Sequence, residues 1–130
     1  MLITREMDYA VRILRALHRG APLTTPEIMA QEHLQQAITY KLMKKLSRAG
    51  LVKGQRGKVG GYMLLRDCGE LTLYDLFLAT EGPLYVTECL EMGYSCENND
   101  CGQCLVHKEF ARIQGAMNEE LKKTRLSELF

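Results

Sequence analysis

No run of apolar residues in this chain approaches the roughly 18 that a membrane-crossing helix needs. The opening Met1-Leu2-Ile3-Thr4-Arg5-Glu6 lacks the apolar core of a secretory signal. Both absences point to a cytoplasmic protein with no membrane partner. Internal repeats and low-complexity tracts are also missing, so one compact domain, or one with an appendage, accounts for the 130 residues. No nucleophile–base pair, phosphate-cradling glycine motif or paired-carboxylate signature is present, which argues against an enzyme and against a small-molecule substrate. Net charge is nearly absent as well. A formal value of +1 argues, taken alone, against nucleic acid.

The total conceals an uneven distribution. Residues 1–66 carry twelve basic and four acidic side chains, a net of +8. Residues 67–130 carry five basic and twelve acidic ones, a net of −7. Such asymmetry marks a nucleic-acid-binding portion joined to something else, or else a set of solvated helix faces. The order of elements decides between them.

Met7, Ala10, Val11, Leu14 and Leu17 recur at helical spacing, with Thr4 as N-cap and Gly20 beyond the end. Thr25-Pro26-Glu27 predicts a second, short helix, with Thr25 as N-cap, running to about Glu32 and burying Ile28 and Met29. A third follows a tight connection at His33–Gln35; its apolar stripe is Ile38, Leu42, Leu46 and Ala49, and Gly50 stops it. The period then changes: Leu51-Val52-Lys53 and Tyr62-Met63-Leu64-Leu65 read as strands joined by a Gly-rich loop. Three helices and a β-hairpin give the order of a winged helix-turn-helix. Thr72 and Asp75 open a fourth helix that Glu81-Gly82-Pro83 ends. Finally Val106, Phe110, Ile113, Met117 and Leu121 form a narrow seam on a helix from about Leu105 to Lys123, suited to a partner helix. The expected fold is mainly α with a small β-wing and a long C-terminal dimerisation helix. Residues 1–82 are the DNA-binding domain; residues 83–130 are the cysteine-rich loop and dimerisation helix.

A recognition helix buries one face and leaves its first turn and opposite face to the major groove. Gln35, Gln36, Thr39 and Tyr40 stand at the start of the third helix off the proposed stripe, followed by Lys41, Lys44, Lys45 and Arg48. Glutamine amides can pair with adenine edges, and threonine or tyrosine can meet phosphate or a thymine methyl. In the wing, Gln55-Arg56-Gly57-Lys58-Val59-Gly60-Gly61-Tyr62 sets Arg56 and Lys58 among glycines that permit close approach to a phosphate backbone. An arginine there can enter a narrow minor groove. Tyr62 is expected to pack beneath the wing.

Four of the five cysteines fall within 16 residues: Cys89, Cys96, Cys101 and Cys104, with His107 three positions on. Four thiols in a loop rich in Asn, Asp and Gly are poorly explained as core, and a reducing compartment disfavours disulfides. Thiolates hold zinc or iron–sulfur clusters, and a four-thiolate or three-thiolate-plus-His set serves either. Cys68 stands apart as packing.

The run Gly50-Leu51-Val52, then Arg56-Gly57-x-x-Gly60-Gly61-Tyr62-x-Leu64, with the opening Thr4 and Asp8-Tyr9-Ala10-Val11, resembles the Rrf-two family of winged-helix regulators over residues 1 to about 123. That family includes IscR-, NsrR- and RirA-like iron–sulfur proteins. The resemblance implies a homodimeric transcription factor, with a 2Fe–2S or 4Fe–4S cluster in the loop beside the dimerisation helix. Family cluster binders set their outer cysteines 12 positions apart, as Cys89 and Cys101 are here, with Cys96 between and shifted by one. IscR-like members place a histidine ligand where this chain has Cys104; His107 lies one turn further. NsrR-like members take an aspartate from the partner's first helix, a position matched by Asp8. The bare residues also allow Asp8 simply to pair with Arg12, four positions on. Cys104, Asp8 and His107 are therefore the three candidate fourth ligands.

The expected function is a transcriptional regulator, a repressor, whose affinity for a double-stranded DNA operator follows a cluster sensing iron, redox or nitric oxide status. Two alternatives stand beside it. One is a winged-helix regulator with structural zinc; the other, of a different class, is a redox metalloprotein.

Overall fold

A computed structural model describes residues 3–97 and 103–130. Cys101 lies outside the described residues. Helix α1 (Arg5–His18) starts where the Thr4 side chain accepts from the amide of Met7, and it buries Ala10, Ile13, Leu14 and Leu17. Helix α2 (Thr25–Glu32) begins one residue earlier than expected: Thr24, not Thr25, is its N-cap. Thr24 and Glu27 close a reciprocal capping box, which satisfies two orphan donors at once and outcompetes a cap at Thr25. Thr25 is instead buried. The turn into helix α3 (Gln36–Arg48) is made by His33, which adopts a left-handed φ of 53° and donates its amide to the Met29 carbonyl.

The apolar stripe of α3 differs from expectation. Thr39, Leu42, Met43 and Leu46 are the buried positions, Ile38 is half-buried, and Ala49 is the exposed C-cap. Gly50 follows with φ 71°. Strands β1 (Val52–Gln55) and β2 (Gly61–Leu64) form the antiparallel wing in a register from Val52↔Leu64 to Gln55↔Gly61. A third short edge joins them, because Leu23 bridges Tyr62 through two backbone hydrogen bonds of 3.0 and 2.7 Å. The wing is thereby docked on the α1–α2 connection, and half-buried Tyr62 packs against the core.

Helix α4 (Leu73–Thr80) carries the expected Thr72–Asp75 capping box. A 3-10 turn at Glu88–Leu90 precedes the loop, and helix α5 (Leu105–Lys123) spans the 19 residues that its seam predicts. The chain then returns in a second 3-10 turn, Leu126–Glu128, whose three residues are too few to leave a periodic signature in the sequence. Leu126 is fully buried in the core it shares with α1, α3 and Leu76 of α4. Glu32, 6% exposed, receives the Arg15 guanidinium through both carboxylate oxygens, Nε at 3.2 Å, which ties α2 to α1. No helix among the described residues is long and apolar enough to cross a membrane.

Candidate nucleic-acid interface and cysteine loop

The tight α2–α3 turn leaves the first turn of α3 at the surface. Gln35 is its N-cap residue and makes no side-chain capping bond, so its amide is available to solvent or a base edge. Gln36, Tyr40, Lys41, Lys44 and Arg48 are exposed along the helix. Thr39 is not among them and must be removed from the DNA-facing set. It is 0% exposed, and its hydroxyl donates to the Gln35 carbonyl at 2.7 Å. That bond satisfies the one polar group of a small side chain, so a threonine fits the buried face as well as a valine would.

In the wing, Arg56 and Lys58 are exposed at the tip, and Val59 beside them is 72% exposed. An open groove between the start of α2 and the wing is lined by Thr24, Thr25, Gly54, Gln55, Arg56, Gly61 and Tyr62. Among the described residues, Lys44, Arg48, Arg56 and Lys58 have no carboxylate partner within salt-bridge distance. Lys41 and Lys45 do: Glu6 of α1 holds both. Sequence patterning gave no sign of that contact, because it joins residues 35 and 39 positions apart.

The cysteines occupy the approach to α5. Cys89 sits in the 3-10 turn, Cys96 in the loop, and Cys104 is the N-cap residue of α5, its sulfur accepting from the His107 amide at 3.4 Å. All three are free and partly buried. Gln114, at the middle of α5, accepts the Val86 amide at 2.7 Å and so ties the chain leading to Cys89 onto the helix. Asp8 pairs with Arg12 at 3.0 Å. Cys68 is fully buried, and desolvation, with a smaller contribution from Asp67, pushes its thiol up to about 11. It is protonated at neutral pH and serves as packing. The thiols of the loop are the soft donors an iron–sulfur cluster requires, so the donor chemistry fits. Among the described residues, however, no three Cys, His, Asp or Glu side chains stand close enough to hold a metal ion.

On α5 the predicted seam divides. Ile113, Met117 and Leu121 are half-buried within the chain, where α5 packs on α4, whereas Val106 and Phe110 are exposed. Leu105, 77% exposed, extends the open part.

The winged-helix order, the Arg-Gly-x-x-Gly-Gly-Tyr wing and the long terminal helix agree with a family model described as Rrf2, iron-dependent transcriptional regulator, which matches residues 3–130. The chain belongs to the Rrf2 family. This Rrf2 protein is 33% identical over 134 residues to protein aau3 of Rhizobium meliloti, an alignment covering 96% of this chain and 87% of that one. It is 27% identical over 132 residues to the HTH-type transcriptional regulator IscR of Citrobacter koseri, covering 99% and 79%. Among solved structures, CymR, the global cysteine regulator of B. subtilis, superimposes with a TM-score of 0.73 at 27% identity, covering 98% of this chain and 94% of CymR. The Rrf2 family is one of winged-helix transcriptional regulators, not of enzymes, and both expectations hold for this member.

Proposed function

We propose that this Rrf2 protein acts in the cytoplasm as a homodimeric repressor whose affinity for a double-stranded operator is set by an iron–sulfur cluster in the 89–104 loop. The observation that carries the reading is Cys104 at the N-cap of α5. A ligand set that ends there is joined directly to the 19-residue helix α5, and the turn after that helix is bonded to Leu71 and Cys68 in the connection between β2 and α4. The family's description as iron-dependent regulators supports iron over zinc. Cys89, Cys96, Cys101 and Cys104 would hold the cluster, 2Fe–2S or 4Fe–4S, with Asp8 of a partner subunit or His107 as other candidates for the fourth position. When bound, such a group supplies a response to iron supply, oxidation or nitric oxide.

The chain's own residues do the rest. Leu105, Val106 and Phe110 are the exposed part of the α5 seam and would pack on a second copy of α5, continuing through Ile113, Met117 and Leu121. Pairing sets two winged heads at a separation that matches half-sites about 34 Å apart or a multiple. Gln35, Gln36 and Tyr40 lie toward base edges, Lys41 and Lys44 flank them, and Arg56 and Lys58 reach the backbone or minor groove from the wing.

Anaerobic purification tests the cluster. The expected product is coloured, with iron and inorganic sulfide in equal amounts, and its DNA affinity changes when the cluster is removed. A colourless, zinc-replete protein after the same isolation would replace the iron reading with structural zinc. A second measurement tests the reading elements. Arg56→Ala should weaken binding to all sequences and lower the salt slope by about 1 per protomer. Gln36→Ala should instead relax base preference at one position, by about 1–3 kcal/mol. Equal binding by both variants and wild type over a range of duplexes and salt would remove α3 and the wing from the interface.

A further inference from the structure

Glu6 lies in the first turn of α1, where an acid is favoured by the helix dipole. Its side chain, however, leaves its own helix. One carboxylate oxygen accepts from Lys41 Nζ at 2.5 Å and the other from Lys45 Nζ at 2.7 Å. The two lysines hold the Glu6 carboxyl below the usual carboxylate range, so it stays charged under physiological conditions. The Lys41 side chain is 58% exposed and that of Glu6 is 23% exposed. Exposed ion pairs of this kind contribute little to stability. Their position gives them another consequence. Lys41 and Lys45 are two of the four basic residues on α3, and each is compensated before any phosphate arrives.

We propose that Glu6 is a specificity-determining residue that restrains sequence-independent DNA binding by withholding Lys41 and Lys45 from the phosphate backbone. A cation already paired inside the protein releases no counterion from DNA unless the internal pair is broken. The restraint acts on every sequence alike, because phosphate contacts carry no base information. Base contacts from Gln35, Gln36 and Tyr40 are left a larger share of the total, which raises the ratio of operator to random binding. The two lysines do not contribute equally. Lys45 also donates to the Thr80 carbonyl and stays anchored without Glu6, whereas Lys41 has no other acceptor among the described residues. Of the two, Lys41 is the one whose phosphate contact Glu6 weakens.

The proposal rests on α3 as the DNA-facing helix but not on the cluster, so metal-free protein serves for the test. The probe is a 30-base-pair duplex of mixed sequence, titrated from about 50 to 200 mM salt. Glu6→Ala should bind it about three- to ten-fold more tightly at the low end. Its salt slope should be steeper by about 0.9 per protomer, the value of one further phosphate neutralised. Glu119→Ala, which removes one lysine-paired acid from α5 and changes the net charge equally, should leave both quantities unchanged. Adding Lys41→Met to Glu6→Ala should abolish the gain, which also guards against a general change in folding. The proposal fails if folded Glu6→Ala binds no more tightly than wild type, or if its gain survives Lys41→Met. If Arg56→Ala and Glu6→Ala both bind as wild type does, the assignment of α3 and the wing is at fault. If Arg56→Ala weakens binding and Glu6→Ala changes nothing, only the restraint by Glu6 is.

Discussion

Gly61→Ala should destabilise the protein by about 3 kcal/mol and loosen the wing, whereas Gly57→Ala, four residues earlier in the same hairpin, should cost about 1 kcal/mol. Both glycines have positive φ, 151° at Gly61 and 126° at Gly57, so both substitutions meet backbone strain. The difference is space. A Cβ at Gly61 would lie 2.7 Å from the carbonyl carbon and oxygen of Leu23 and 3.0 Å from the Thr24 nitrogen, all backbone atoms; at Gly57 it meets nothing within 4 Å. The crowded atoms belong to the edge that Leu23 forms with Tyr62, so relief requires breaking the two hydrogen bonds that seat the wing. Urea unfolding checks the ranking. Duplex binding of Gly61→Ala, measured where it is still folded, should fall as Arg56→Ala does, since the arginine is then aimed from a wing no longer fixed to α1 and α2. Equal stabilities for the two variants would show that the close approach at Leu23 does not govern the site.

That contact explains why the Gly-Gly-Tyr of the wing is specific enough to be recognised in a bare sequence. Other local chemistry was equally readable. Thr4 before α1 and Thr72 with Asp75 before α4 are caps whose physics involves only three or four neighbouring residues. The error at α2 is instructive for the same reason: Thr24 and Thr25 are adjacent, and only Thr24 has Glu27 at the spacing that closes a box. At α3 the polar letter misled. Thr39 looks like a surface residue, yet its hydroxyl is satisfied by Gln35 one turn back, and Met43 completes the buried stripe in place of Ala49. Glu32 repeats the lesson with a charge, since its burial depends on Arg15 from another helix.

The candidate site divides along the same line. Cysteine spacing, the cationic wing and the exposed glutamines are properties of short segments and could be named in advance. The contacts that link these segments could not. Glu6 reaches Lys41 and Lys45 across two helices, Gln114 reaches Val86 across the cysteine loop, and Leu126 returns to Leu71 over more than fifty residues. Each depends on how α1, α4 and α5 pack, which no window of sequence contains. Under the proposed function, those long contacts are the routes by which a change in the loop would reach the DNA-facing elements.

Leu126→Ala should therefore be the most informative change remote from DNA, with an expected loss of about 2–5 kcal/mol and a fall in Tm of roughly 10 °C. Leu126 is fully buried, and its turn is held by three contacts: its amide on the Leu71 carbonyl at 2.8 Å, Ser127 on Cys68 at 3.1 Å, and the Arg125 guanidinium on Glu70 at 3.1 Å. Residues 65–72 connect β2 to α4, so the turn fastens the chain after α5 to the segment that joins the wing to α4. Arg125→Ala, which removes only the exposed contact, should be much milder by the same thermal measurement. The two changes also separate stability from coupling. If α5 carries the state of the loop to the wing, Leu126→Ala should shrink the ratio of cluster-bound to cluster-free DNA affinity at a temperature where the variant is folded, and Arg125→Ala should largely preserve it. A ratio unchanged in Leu126→Ala would exclude the C-terminal turn as the route. Coupling would then have to pass through the start and middle of α5, where Cys104 begins the helix and Gln114 holds Val86.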